Sequence, residues 1–280
     1  GLVHFLSLGS GSSGNCYYIG NEKSALLIDA GIGIRTIKKR LQENNLSIES
    51  VKMVMVTHCH FDHTKSLLKL LQRHSLPLFL TRNLLCSLMN IRGVGPEIRD
   101  YATLIQPGLQ YQHESILFSS FVVPHDAPET LGYHICIDGF RFTLATDIGA
   151  VTPELLYYGA MSNALIIEAN YDRYMLDHGP YSPDLRARIS QGNGHLSNRQ
   201  CAEAVVNIIN NGWQQYKTYP TTVLLCHLSK ENNTPELAYN TVSGAINSLG
   251  LMPGRDIYLE ALPRTTTGTL LSWDIPNSSL

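Results

Sequence analysis

The chain has 280 residues, 44% of them hydrophobic and 16% charged, with a formal net charge of -2. That length supplies a full core and favours a single domain over 1–280, and the charge excludes a molecule that is basic all over and grips nucleic acid by bulk attraction. No stretch reaches the roughly 20 apolar residues of a membrane helix, and the six cysteines contain no C-x-x-C pair, so a soluble cytoplasmic protein with reduced thiols is expected.

In chain order, GSGSSGN at 9–15 reads as a tight turn between two strands. No lysine follows where a phosphate-binding loop needs one, and Ser12, Ser13 and Asn15 are expected to edge a functional cleft. KSALLIDAG reads as a strand closed by a glycine turn. TIKKRLQENNL and TKSLLKLLQRH read as helices, the first with Ile37 and Leu41 on one face. SNRQCAEAVVNIINNG opens with a capping box of Ser197 and Gln200 and places Cys201, Ala204, Val205, Ile208 and Ile209 at helical spacing. The last helix starts at the N-cap Thr234 with Pro235 in its first turn and stops at Gly250. Short apolar runs alternating with helical patterns argue for a layered α/β fold.

Four of the apolar runs, VKMVMVTH, FSSFVVPH, FRFTLATD and TTVLLCH, each end on a metal-binding residue: His58, His125, Asp147 and His227. Strands of one sheet deliver their last residues to a common edge, so ligands distant in sequence can meet there. The run VTHCHFDH at 56–63 is denser still. In an extended segment His58 and His60 share a face while Cys59 and Phe61 point away, and Asp62 and His63 follow at the turn into a helix. This spacing suits two ions better than one.

The H-x-H-x-D-H run resembles the signature of the metallo-β-lactamase superfamily, and the resemblance extends through Asp29 in LLIDAG, His125, Asp147 and His227. It implies a four-layer αββα sandwich. By the same match, one ion is held by His58, His60 and His125 and the other by Asp62, His63 and His227, with Asp147 between them. The cofactors so implied are two divalent ions per chain, Zn, Mn or Fe, flanking an activated hydroxide, with Asp62 also in a catalytic role. Cys59 and Cys226 adjoin ligands but are expected to be buried rather than coordinating.

Within that superfamily the segments LSLGSGSSGN, EAN, GPYSPDLRARI, GHLSN and HLSKENNTPELA resemble the YycJ/WalJ group, described as DNA-directed exonucleases. GHLSN is also similar to the G-H-A-S segment of β-CASP nucleases, which implies that His195 works on the phosphate. The chain departs from the group at Cys59, where a charged residue is common, and at Tyr171, where a histidine is. Ser197, at the start of a helix whose first N–H groups favour an anion, joins His195 as a substrate-binding candidate. Ser229, Lys230 and Asn232, which follow His227, join them too. Arg186, Arg188 and Arg199 are the nearest basic residues, whereas Lys38, Lys39 and Arg40 read as a solvated helix face. The expected activity is hydrolysis of a nucleic acid, DNA by preference. A thioester or lactone hydrolase of the same fold and a non-catalytic metal-dependent nucleic-acid-binding module are the alternatives.

Overall fold

The computed structural model describes residues 1–124, 129–191 and 194–276. Among them the strands are β1 (Leu2–Gly9), β2 (Cys16–Asn21), β3 (Ala25–Ile28), β4 (Val51–Met55), β5 (Leu78–Leu80), β6 (Ala102–Leu104), β7 (Gln110–His113), β8 (Ile116–Val123), β9 (Thr130–Ile137), β10 (Phe140–Ala145), β11 (Ala164–Glu168), β12 (Thr222–Cys226), β13 (Tyr258–Ala261) and β14 (Leu271–Asp274). The helices are α1 (Ile34–Glu43), α2 (Phe61–Thr64), α3 (Leu67–His74), α4 (Arg82–Met89), α5 (Pro153–Ala160), α6 (Arg173–His178), α7 (Pro183–Ser190), α8 (Asn198–Tyr216) and α9 (Pro235–Asn247). The strands form two seven-stranded sheets, ordered β14-β1-β2-β3-β4-β5-β6 and β13-β12-β11-β10-β9-β8-β7. The chain divides into two compact units. The first is Gly1–Ser120, Ile135–Phe140 and Arg264–Leu280; the second is Phe121–His134 and Arg141–Pro263.

In the first unit β1, β2 and β3 are antiparallel, and β3 to β6 run parallel. Parallel strands are covered on both faces, which is why KSALLID and VKMVMV are continuous apolar runs rather than alternating ones. The amphipathic α1 buries Ile34, Ile37 and Leu41. TKSLLKLLQRH does not form one helix. Instead α2 stops at Thr64 and α3 begins at Leu67. The groups that would continue the helical ladder are taken elsewhere: the Asp62 carbonyl accepts the Asn15 N–H at 2.7 Å, and the Ser66 N–H donates to the Ala30 carbonyl at 2.8 Å. Tertiary hydrogen bonds overrule the helical periodicity there.

In the second unit β10, β11, β12 and β13 are all parallel, so their C-terminal ends lie along one edge. The capping box of α8 is present in full, with Ser197 Oγ accepting the Gln200 N–H and Gln200 reaching back to the Ser197 N–H. Cys201, Ala204, Val205, Ile208 and Ile209 of α8 join Val223, Leu225, Val242 and Ile246 in one core. Each of the Val, Leu and Ile side chains among these contributes about 1.5 to 3 kcal/mol by leaving water. Helix α9 starts at the N-cap Thr234 with Pro235 in its first turn and ends at Asn247, before Gly250 takes its positive φ of 80°.

Candidate functional site

In the first unit the parallel pair β3 and β4 carries the donor segment. Just past β3, Asp29 turns into the left-handed region (φ 67°) and its N–H donates to the Met55 carbonyl at 2.8 Å. Its fully buried carboxylate accepts the Thr57 N–H, the Thr57 hydroxyl and the His63 ring at Nδ1, each at 2.7 Å. An Nδ1–H held this way leaves Nε2 outside that bond, the way a carboxylate orients an imidazole toward a cation. His63 Nε2 lies 3.4 Å from Asp62 Oδ2. His58 Nε2 and His60 Nδ1 are 2.7 Å apart, and the His58 ring stands edge-on to that of His63.

Cys59 is buried, but Phe61, the first residue of α2, is 62% exposed, and His58 is buried while His60 is exposed, so the turn into α2 ends the simple alternation expected of an extended segment. Burial pushes the Cys59 thiol up, which suits packing rather than coordination. Asn15 is buried, and its side chain reaches the Asp62 carbonyl at 3.2 Å, Asp62 Oδ2 at 3.3 Å and the Gly11 carbonyl at 2.9 Å. The residue expected to meet substrate therefore positions Asp62. Ser12 is exposed in the turn before it. Gly31 explains the closeness of these loops, because a Cβ there would stand 1.7 Å from the Asp62 carbonyl oxygen.

In the second unit the edge formed by β10, β11 and β12 presents Asp147, Glu168 and His227, and His195 comes from the loop before α8. Asp147 and His227 both take φ of 55°, a left-handed step that turns each side chain off its strand. Glu168 was not foreseen from the sequence, although it is the hub. Its Oε1 accepts His195 Nδ1 at 2.9 Å and His227 Nδ1 at 3.0 Å, while its Oε2 accepts the N–H groups of Ile148 at 3.1 Å and Leu196 at 3.2 Å. Burial alone would raise its carboxyl, but the neighbouring His195 charge and the hydrogen bonds from both rings hold it below the usual range. For His195, burial works to lower the imidazole and the Glu168 charge outweighs it, so the ring sits above its ordinary value. Asp147 Oδ1 is 3.7 Å from His227 Nε2 and 3.9 Å from His195 Nδ1, and the two rings stack at 5.5 Å.

These donors fit divalent cations. Imidazole nitrogen and carboxylate oxygen suit Zn, Mn or Fe, and bonds of about 2.0 to 2.2 Å put co-ligands roughly 3.4 Å apart. The His63–Asp62 and His227–Asp147 separations match that spacing, and one atom from each of Asp147, Glu168, His195 and His227 lies within 4.8 Å of the others. The shorter His58–His60 distance is a ring-to-ring hydrogen bond. His125 lies outside the described residues.

The remaining candidates are placed as follows. Ser197 is committed to the capping box, and Asn232 is enclosed at 1% exposure with its N–H donated to Ser229 Oγ, so neither faces open solvent. Lys230 is exposed and Ser229 half-buried. Tyr171 is buried, and its carbonyl accepts the Asn198 N–H at 2.8 Å. Arg186 and Arg188 lie on α7, and Arg199 begins α8 in an exposed pair with Glu203. Cys226 is buried, its thiol raised well above its usual value by burial. Glu168 was discoverable: ALIIEAN is a fifth apolar run ending on a potential ligand, and the strand-end pattern applied to it names the residue.

A family model described as the metallo-beta-lactamase superfamily matches residues 9–193. The exodeoxyribonuclease WalJ of Streptococcus pneumoniae serotype 2 is 31% identical over 261 residues, covering 93% of this chain and 94% of that one. The exodeoxyribonuclease YycJ of Bacillus anthracis is 31% identical over 252 residues, covering 90% and 92%. The metallo-beta-lactamase fold protein YhfI of Bacillus subtilis superposes with a TM-score of 0.67 over 98% of this chain and 100% of its own, at 12% identity.

Proposed function

Because the chain belongs to the metallo-β-lactamase superfamily, a family of metal-dependent hydrolases, we propose that it is a two-metal phosphodiesterase that shortens DNA from an end. The observation that carries this reading is the Glu168 carboxylate accepting both His195 and His227 at Nδ1, which readies one imidazole as a ligand and a second for the substrate. Likeness over nine-tenths of the chain to relatives named exodeoxyribonucleases supplies the substrate class.

In this reading His58, His60, His125, Asp62, His63, His227 and Asp147 hold two divalent ions, Zn, Mn or Fe. When bound, such ions supply Lewis acidity and an activated water. The protein contributes position and protons. Asp29 and Glu168 hold His63 and His227 with Nε2 available, Asn15 sets the Asp62 carboxylate, and His195, its Nδ1–H anchored on Glu168, has Nε2 left to give or take a proton at the phosphate. Ser12, Ser229 and Lys230 remain the candidates for contact with the strand. Six free cysteines accord with a cytoplasmic location, and no helix among the described residues is long and apolar enough to cross a membrane.

The experiment is to incubate metal-reconstituted protein with end-labelled single- and double-stranded oligonucleotides. Stepwise shortening from one end, abolished by a chelator, is the expected result. Intact oligonucleotides beside rapid turnover of thioesters would replace this reading with an acyl hydrolase.

A further inference from the structure

The first unit contains a cavity of about 230 Å³ that the site described above does not use. Ser13, Thr36, Arg40, Lys65, Arg264 and Thr265 line it, together with glycine backbone, and no carboxylate is among the lining residues. Three cations around one small cavity stand out in a chain whose net charge is -2. Arg40 is pinned by donating its guanidinium to the carbonyls of Leu8 and Thr265, which hold it in place without cancelling its charge. Among the described residues neither Lys65 nor Arg264 has a carboxylate partner. Three hydroxyls complete a lining of donors. With three positive charges and no carboxylate, such a set favours an oxyanion and repels a cation.

Its place in the unit says which oxyanion. Gly14, on the cavity wall, precedes Asn15, whose N–H and side chain hold Asp62. Lys65, on another wall, follows His63 by two residues, and the next residue, Ser66, ties that segment to the Ala30 carbonyl at 2.8 Å. The loops that carry the donors Asp62 and His63 thus also wall the cavity. A polyanion with one phosphate at those donors has its neighbouring phosphates close by.

We propose that this cavity binds a backbone phosphate of the nucleic-acid strand, beside the linkage being cut; this rests on the phosphodiesterase reading. A free phosphate ion shares the chemistry but not the linkage to a strand. Phosphate contacts of this kind carry register rather than sequence, and each released counterion appears in the salt dependence of binding.

The test uses metal-loaded full-length protein and a labelled single-stranded oligonucleotide with cleavage-resistant phosphorothioate linkages, its affinity read by fluorescence anisotropy over a salt series. Lys65→Ala with Arg264→Ala is expected to weaken binding about tenfold at low salt and to reduce the log–log salt slope by about 1 to 2. The single Lys65→Gln, at an exposed position, guards against misfolding and is expected to lower the slope by about 1. Removing the same charge from the outer face of α1, with Lys38→Ala and Lys39→Ala, is expected to leave affinity near the parental value. Parental affinity and slope in the Lys65/Arg264 variant overturn the proposal, as does an equal loss in the Lys38/Lys39 variant. Inorganic phosphate titrated separately reads the other source: a variant that loses phosphate binding but keeps oligonucleotide affinity marks a free-anion site and overturns the proposal. Because the probe is not cut, the outcome is independent of cleavage. Failure of the phosphodiesterase reading would instead show as ordinary oligonucleotides left intact by the parental protein.

Discussion

The first unit gathers its donors within one segment, Thr57 to His63, around the buried carboxylate of Asp29; the second gathers Asp147, His195 and His227 from β10, β12 and the loop before α8 around the buried carboxylate of Glu168. Both hubs are saturated with hydrogen bonds, but their loads differ. Asp29 holds one imidazole and spends its other bonds on Thr57, fixing the segment's own backbone. Glu168 holds two imidazoles and the backbone of Ile148 and Leu196. A contiguous motif needs its carboxylate to shape a loop, whereas a dispersed one needs it to bring loops to each other.

The largest effects should come from the donors themselves and should be equal on the two sides. Asp62→Ala and Asp147→Ala are each expected to lower kcat on an oligonucleotide by on the order of 10³-fold with melting behaviour little changed. A mild loss in one beside a severe loss in the other would break the symmetry. The hubs come next. Glu168→Gln is expected to lower metal affinity and activity 10- to 100-fold, because the amide must turn its N–H groups toward either the two imidazoles or the two backbone N–H groups, all of them donors. Asp29→Asn, with one imidazole at stake, should fall at the lower end of that range. Titration of each variant with the metal, followed by activity, measures both, and a larger loss for Asp29 would reverse the comparison.

A smaller effect is confined to the second unit. His134 is buried beside Thr143 and Arg141, and burial, with the Arg141 charge, pushes its imidazole down to about 3 from 6.5. It is neutral in both states above about pH 6.5. Below that the unfolded chain binds a proton that the folded chain refuses, so stability falls by about 1.4 kcal/mol per pH unit until the folded value is reached. Urea melts at pH 7 and pH 5 should therefore differ by about 2 kcal/mol more in the parental protein than in His134→Gln. Equal differences would show that His134 is not held neutral.

How far the molecule could be read from its residues follows the same division. The cluster of His58, His60, Asp62 and His63 was legible because its residues obey one local spacing. The strands β4, β10 and β12 were legible because buried parallel strands write themselves as apolar runs. The core face of α8 and both helix caps were legible for equally local reasons. What escaped was non-local. The strand-end pattern can single out Glu168 as one more carboxylate, but that it holds two imidazoles follows only once β11 is placed between β10 and β12. Asn15 reads as a residue edging the cleft until Gly31 lets its loop reach Asp62, and the helix break at residues 65 and 66 exists only because Asn15 and Ala30 claim the ladder's hydrogen bonds.

The most direct test of the central claim is to count metal in the reconstituted protein while following an end-labelled DNA oligonucleotide. Two ions per chain, with shortening that appears as they bind and disappears with chelator, is the predicted result. A protein that binds no ion, or that cuts at the same rate after full metal removal, would contradict the account.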